Sequence, residues 1–271
     1  MTFSSATELE CRSLCVCAGQ RTILEEVSFT IRSGESLMVI GPNGSGKTTL
    51  LHALLGLTPA AAGEILWNGR RIQRQTRSEM ARMAAYVPQL PEMPHGFTVF
   101  EYVLTARYAR RRTWGGYSAE DQRSADTALA LTGMADFSDR PVATLSGGEL
   151  QKVLLAAAVA QEPPFVLLDE PAAFLDYHHQ VEIMALIERL RQERNLSVIL
   201  VTHDLNIPFL AGARLLALKN GRPLFYGAAA DLPRQLAMLE QLYDTPFRVI
   251  TSQTEGWFIQ PVFTGPGGRT P

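Results

Sequence analysis

"GPNGSGKT", residues 41–48, decides how the rest of the chain is read. It fits the pattern G-x-x-x-x-G-K-[ST]. An apolar run, "ESLMVI" (35–40), precedes it, and a helical pattern, "TTLLHALLGL" (48–57), follows. Strand, glycine loop and helix in that order are the context a phosphate-binding loop requires. Glycines let the backbone N–H groups turn inward as a nest, and the helix points its positive end at the same anion. Gly41, Pro42, Asn43, Gly44, Ser45 and Gly46 therefore form the cradle. Lys47 reaches the terminal phosphates, Thr48 offers its hydroxyl to Mg²⁺, and Thr49 adds a phosphate contact.

Two further stretches fit the same chemistry. "FVLLDE" (165–170) is an apolar strand ending in two acids. Asp169 is placed to hold the Mg²⁺ shell, and Glu170, one residue beyond the strand, to polarise a water for in-line attack. "LSGGE" (145–149) opens a helix with Ser146, Gly147 and Gly148, a second anion site of the same kind. One chain has no need of two sites for one terminal phosphate. A head-to-tail dimer does, if each chain offers its second site to its partner's nucleotide.

Outward from these motifs, strands and helices alternate. Strands are expected at 8–17, 25–31, 34–41, 84–89, 164–170 and 196–204, a hairpin around Asn68-Gly69, and helices at 46–57 and 178–194. The alternation predicts an α/β fold with a largely parallel sheet. Between about 97 and 160 the pattern is helical, and a helix and hairpin close the chain.

The motifs occur in an order that resembles the nucleotide-binding subunit of ATP-binding cassette (ABC) transporters. The resemblance runs from about residue 8 to about 230 and adds "YVPQ" ending at Gln89, "AAFLD" ending at Asp176, and "VTHD" with His203. It implies a P-loop NTPase (RecA-like) core with an antiparallel β subdomain and an inserted helical subdomain. The implied boundaries are 8–245 for the ATP-binding domain, about 92–160 for the helical insertion, 246–263 for a terminal hairpin and 264–271 for a flexible tail. It further implies ATP and Mg²⁺ as cofactors, Glu170 as general base, and Gln89 contacting Mg²⁺ and the attacking water. Ser146 and Gly148 would bind the γ-phosphate across the dimer, Asp176 would link the two sites, and His203 would contact the γ-phosphate. The implied partners are a second copy, membrane permease subunits and, indirectly, a substrate-binding protein. "TVFEYVLTARYARR", "FLDYHHQVEIMALI" and "LYDTPFRVITSQTEGWFIQP" are similar to importers of iron–siderophore complexes, haem and cobalamin. That similarity implies a peripheral subunit on the cytoplasmic face of a prokaryotic inner membrane. A non-transport ABC ATPase and a non-hydrolysing nucleotide-gated module are the competing classes. The first typically needs two cassettes or a coiled-coil insertion, and Glu170 with His203 argues against the second.

Composition agrees. The chain has 271 residues, a net charge of −2 and 46% hydrophobic residues, so a sizeable core is expected and no nucleic-acid footprint. No run approaches the ~18 apolar residues of a membrane span; "NIPFLAGARLLALKNG" comes nearest and is broken by Arg214. "MTFSSATELEC" holds acids and no apolar signal core, so no secretory signal is expected. The basic cluster Arg107–Arg112 reads as a solvated, partner-facing helix surface. His178 and Glu182, one turn apart, read as a charged helix start rather than a metal site.

Three cysteines crowd into "CRSLCVCAG" (11–19). On a regular strand Cys11, Cys15 and Cys17 share one face, with Cys15 and Cys17 about 7 Å apart, too far to share one Zn²⁺. They are expected to be small hydrophobes on a buried face. Ala18, next in line, stands where the resemblance leads one to expect an aromatic platform for adenine, which leaves Arg21 to lie across the base.

Overall fold

The computed structural model describes residues 8–89, 96–111, 116–206, 212–252 and 256–262. The expected tail 264–271, the segment just after Gln89, Arg112 and the first half of the apolar run at 206–221 lie largely outside the described residues.

The central sheet has six strands in the order β10-β9-β3-β8-β7-β6. These are β3 (Ser36–Ile40), β6 (Ala84–Val87), β7 (Phe165–Asp169), β8 (Ser197–Val201), β9 (Arg214–Lys219) and β10 (Arg222–Ala228). All neighbouring pairs are parallel except β9 and β10, a hairpin at one edge. The second sheet is antiparallel, β2-β1-β4-β5. It is built from β1 (Glu8–Ala18), β2 (Arg21–Arg32), β4 (Ala62–Trp67) and β5 (Arg70–Arg71), with the β4–β5 turn at Asn68-Gly69, both at positive φ.

Strand periodicity sorts the core into two layers. Leu37, Val39, Phe165, Leu167, Ile199 and Val201 face α1 (Lys47–Leu54) and the antiparallel sheet. Met38, Ile40, Val166, Leu168, Val198 and Leu200 face the helices on the other side. Alternate residues of a doubly covered strand must both be apolar, which is why these strands read as unbroken hydrophobic runs. Trp67 ties the first layer together. Its indole N–H donates to Leu54 O at 3.0 Å, and its ring meets Phe165 edge-on at 5.0 Å. Losing such a ring costs about 3–5 kcal/mol.

The other layer holds α3 (Val99–Thr105), α4 (Ala119–Thr132), α5 (Gly147–Ala160), α6 (Tyr177–Arg194) and α7 (Leu236–Tyr243), whereas α2 (Arg77–Met83) buries Met80 in the first layer. Four helices, α2 to α5, begin with a capping box, Ser or Thr paired reciprocally with an acid three residues on. The chain closes with the hairpin β11 (Phe247–Ser252) and β12 (Gly256–Pro261).

Two expectations change. The cysteines do not share a face. Ser13 adopts φ 43 and the β1 register shifts there, so Cys11 is buried while Cys15 is half-buried and Cys17 exposed. A bulge inserts one residue, and every later side chain swaps faces: Leu14 and Val16 now point inward. Ser28 supports the bulge by accepting from Ser13 N at 2.8 Å, and Gly63 leaves room for it. Within the basic cluster, Arg107 is not on a solvated surface either. Arg107 is 3% exposed, pairs with Asp121 at 3.1 Å and Glu162 at 3.0 Å, and donates to Ala160 O at 2.7 Å. It satisfies the carbonyl end of α5 and is held by two carboxylates, the condition for burying a cation. Arg110 donates to Gln161 O at 2.7 Å in the same way.

Candidate functional site

In open parallel sheets, ligand-binding loops gather at the carboxyl ends of the strands. Here β3 leads into Gly41, β6 into Gln89, β7 into Glu170 and β8 into His203. These ends surround a cleft of about 930 Å³, within the size range of nucleotide sites. Gly41, Pro42, Asn43, Gly44, Gly46, Lys47, Thr48 and Thr49 line it, together with Gln89, Glu170 and His203.

The loop takes its shape from glycine. A Cβ on Gly41 would sit 2.2 Å from Leu218 O, and one on Gly46 would sit 2.6 Å from a Leu24 methyl. Gly44 and Gly46 have φ 78 and 99. Lys47 folds back over the loop, donating to Gly41 O at 2.8 Å and Pro42 O at 3.1 Å. Burial pulls its ammonium below the usual lysine range, against the opposing pull of Glu170 and Asp169. Beneath the loop the Ser45 hydroxyl is buried without a hydrogen-bond partner among the described residues. A compact polyanion fits this cradle, because it would give Lys47 a direct ion pair, which it does not make among the described residues.

Thr48 Oγ1 donates to Asp169 Oδ2 at 2.7 Å, and the Tyr86 hydroxyl donates to the same oxygen at 3.3 Å. Tyr86 in turn lies 3.3 Å from His52 Nε2. Burial first, then Asp169, pushes the Tyr86 phenol up, so it stays a donor. A hydroxyl beside a carboxylate is an oxygen donor set that suits Mg²⁺.

Glu170 joins two other residues of the cleft lining. Its Oε2 lies 3.0 Å from Gln89 Nε2 and 3.0 Å from His203 Nδ1. Its backbone has φ 49, left-handed and costly for glutamate by about 1–2 kcal/mol. Glu170 N donates to Val201 O at 3.0 Å, which holds that conformation. Thus the sequence-predicted Lys47, Thr48, Glu170, Gln89 and His203 line one cleft, and Asp169 is buried behind Thr48, to which it is bonded.

Ser146, Gly147, Gly148 and Asp176 are not among the residues lining it. Ser146 caps α5, and Gly147 approaches Leu175. Gly148 packs so closely on the His179 ring that a Cβ would lie 2.8 Å away. Asp176 caps α6 and accepts from His179 N at 2.9 Å and Nδ1 at 2.8 Å. Glu182 pairs with Lys152 at 2.6 Å.

Ala18 is exposed and pairs across the β1–β2 turn with Arg21, which lines the cleft together with Ile23. Sequence reasoning missed Phe174 and Tyr243 in the lining of this cleft, and Tyr86, which supports Asp169 beside it. Tyr86 lies three residues before Gln89, and Phe174 inside "AAFLD", so both were within motifs already marked. Tyr243 carries no local signal.

Residues 24–173 match the family model described as ABC transporter. The chain is 36% identical over 233 residues to the iron(3+)-hydroxamate import ATP-binding protein of Bacillus subtilis (strain 168), covering 86% of each chain. It is 35% identical over 253 residues to the hemin import ATP-binding protein of Rhodococcus jostii (strain RHA1), covering 93% of this chain and 85% of that one. Among solved structures it is similar to a metal-chelate type ABC transporter in an inward-facing conformation. The TM-score is 0.83 at 26% identity, over 95% of this chain and 98% of that one. No helix among the described residues is long and apolar enough to cross a membrane. With the phosphate cradle, the paired acids and the second glycine-opened helix in place, the chain belongs to the ABC transporter family, as one of its ATP-hydrolysing, ATP-binding subunits.

Proposed function

We propose that this chain hydrolyses ATP at sites shared between two copies of itself and so drives a separate permease that imports an iron complex, a siderophore chelate or haem, or cobalamin. The observation that carries the hydrolytic part is the shared Oε2 of Glu170, bound by Gln89 and His203 at 3.0 Å each. Two side chains from the ends of two other strands meet on one carboxylate oxygen beside the phosphate cradle. That supports Glu170 as the base that orients and deprotonates the attacking water.

In this reading the loop 41–46 and Lys47 hold the β- and γ-phosphates, with Thr49 adding a contact. Thr48, Asp169 and, on rotation away from Glu170, Gln89 would hold Mg²⁺, which supplies charge neutralisation for the leaving diphosphate. His203 reports the γ-phosphate to Glu170. Phosphoryl transfer asks for positioning and charge stabilisation more than covalent chemistry, which suits a set of side chains fixed at strand ends.

The glycine-opened start of α5 lies outside the cleft of its own chain, with Ser146 engaged only in capping. This favours its use by a second copy, head to tail, with Asp176 at the junction. ATP-driven closure of that dimer and reopening after phosphate release would move the permease at the cytoplasmic face of the inner membrane. The import direction and cargo class rest on the relatives named above.

The experiment is reconstitution with candidate permease chains from the same genome. ATP-dependent uptake of a ferric hydroxamate, haem or cobalamin, lost in Lys47→Ala, supports the reading. Transport of none of these by an ATP-hydrolysing complex would refute the cargo assignment.

A further inference from the structure

The segment after β8 carries His203 with irregular backbone, so something other than sheet pairing must hold it in place. Thr202 Oγ1 accepts from Asp204 N at 3.1 Å, and Asp204 Oδ1 accepts from Asn206 N at 2.8 Å. These bonds are local and shape the turn. The anchor is Asn206. Its Nδ2 donates to Ile259 O at 2.8 Å, and its Oδ1 accepts from Ile259 N at 2.7 Å.

One side-chain amide thus satisfies both backbone groups of one residue in the C-terminal hairpin, 53 positions away. The geometry imitates a strand pairing. Ile259 is itself fixed: it is 1% exposed, pairs with Val249 across the hairpin and belongs to the helical-side core. The hairpin is closed at its base by Val262 N donating to Pro246 O at 2.8 Å. The His203 loop therefore hangs from an element that carries none of the nucleotide-site motifs.

The same C-terminal unit reaches the phosphate cradle from α7. Met238, Leu239 and Leu242 are buried, and Tyr243, the last residue of the helix, lines the cleft. Its hydroxyl is buried, and its surroundings include the Gly41 backbone, Glu170 and Asp204. The ring stacks edge-on with Phe247 at the start of β11, 5.9 Å between centroids. Helix and hairpin thus touch the site at two places, the base of the cradle and the His203 loop.

We infer that Asn206, gripped by Ile259, is a positioning residue that holds His203 against Glu170, which makes the C-terminal hairpin a working part of the hydrolytic site. The inference rests on the proposed role of His203. It separates turnover from binding. The cradle is held by β3 and α1 and does not depend on Asn206, whereas the 3.0 Å contact between His203 and Glu170 does.

The test is steady-state hydrolysis and ATP affinity of the full chain for Asn206→Ala, His203→Ala and the double variant. Asn206→Ala should lower kcat about tenfold, as loss of a fixed catalytic geometry does, with ATP affinity within about twofold of wild type. In the His203→Ala background the same substitution should change nothing further, because both act through one contact. Unchanged kcat in Asn206→Ala, or an equal loss in both backgrounds, overturns the inference while leaving the role of His203 standing. Wild-type turnover in His203→Ala ends both. If Asn206→Ala does not fold, Asn206→Asp enters the same cycle, since it keeps the acceptor for Ile259 N and loses the donor. The same non-additivity is then expected, and additive losses overturn the inference.

Discussion

His203 Nδ1 lies 3.0 Å from Oε2 of Glu170, although 33 positions separate them in the chain. Neighbouring parallel strands bring them together, since β7 and β8 pair in register up to Asp169 and Val201. Each side chain stands just past its strand end, where the sheet stops and the cleft begins. Gln89, beyond β6 on the far side of β7, reaches the same oxygen.

Glu170→Gln keeps the shape and removes the base. Its kcat should fall at least about 100-fold, with ATP affinity held within a few-fold, as read by phosphate release and equilibrium binding. A variant that turns over at more than a tenth of the wild-type rate would remove Glu170 from the chemistry.

Ala18 offers the base no ring. Base–aromatic stacking is worth about 1–3 kcal/mol, so Ala18→Tyr should tighten ATP binding at least about fivefold without lowering kcat. Unchanged affinity would mean that Arg21 and Ile23 already complete the base pocket.

The β1 bulge sorts the thiols. Burial pushes Cys11 up to about 12, and its Sγ contacts Val27 O at 3.4 Å. A raised thiol pKa leaves little thiolate, so iodoacetamide at pH 8 should label Cys17 and Cys15 and spare Cys11 until the chain is unfolded. Mass mapping of the labelled peptides reads this directly; equal protection of all three thiols would restore the unbulged strand, on whose buried face they would lie together.

Gly63 makes that bulge possible. A Cβ there would meet Ser13 O at 2.2 Å and Arg12 O at 2.5 Å, and φ is +81. Neither backbone atom can yield cheaply, so Gly63→Ala should cost about 2–3 kcal/mol in urea unfolding. A loss below about 0.5 kcal/mol would show that the second sheet relaxes around it.

What the sequence makes legible is what local spacing encodes. The cradle, the acids after "FVLL" and the helix start at Ser146 each occupy fewer than about ten residues, and each carries its own geometry. What it hides is set by distant partners. Ser13 bulges because Gly63 and Ser28 accommodate it, and nothing in residues 8–18 announces that. Arg107 is buried because a helix end 53 positions away needs donors. The β9–β10 hairpin was not expected, although Asn220-Gly221 between two extended runs is a hairpin signal. Its apolar half was weighed as a membrane segment instead. Asn206 reads as an ordinary loop residue until Ile259 is seen against it.

The central claim is that a nucleotide held by one chain is read by Ser146 of another. Sedimentation of the Glu170→Gln chain with and without ATP tests it, alone and combined with Ser146→Arg. ATP should convert Glu170→Gln from monomer to dimer, and Ser146→Arg should abolish the dimer while each chain still binds ATP in its own cradle. A dimer that survives Ser146→Arg, or ATP binding lost with it, would contradict the account.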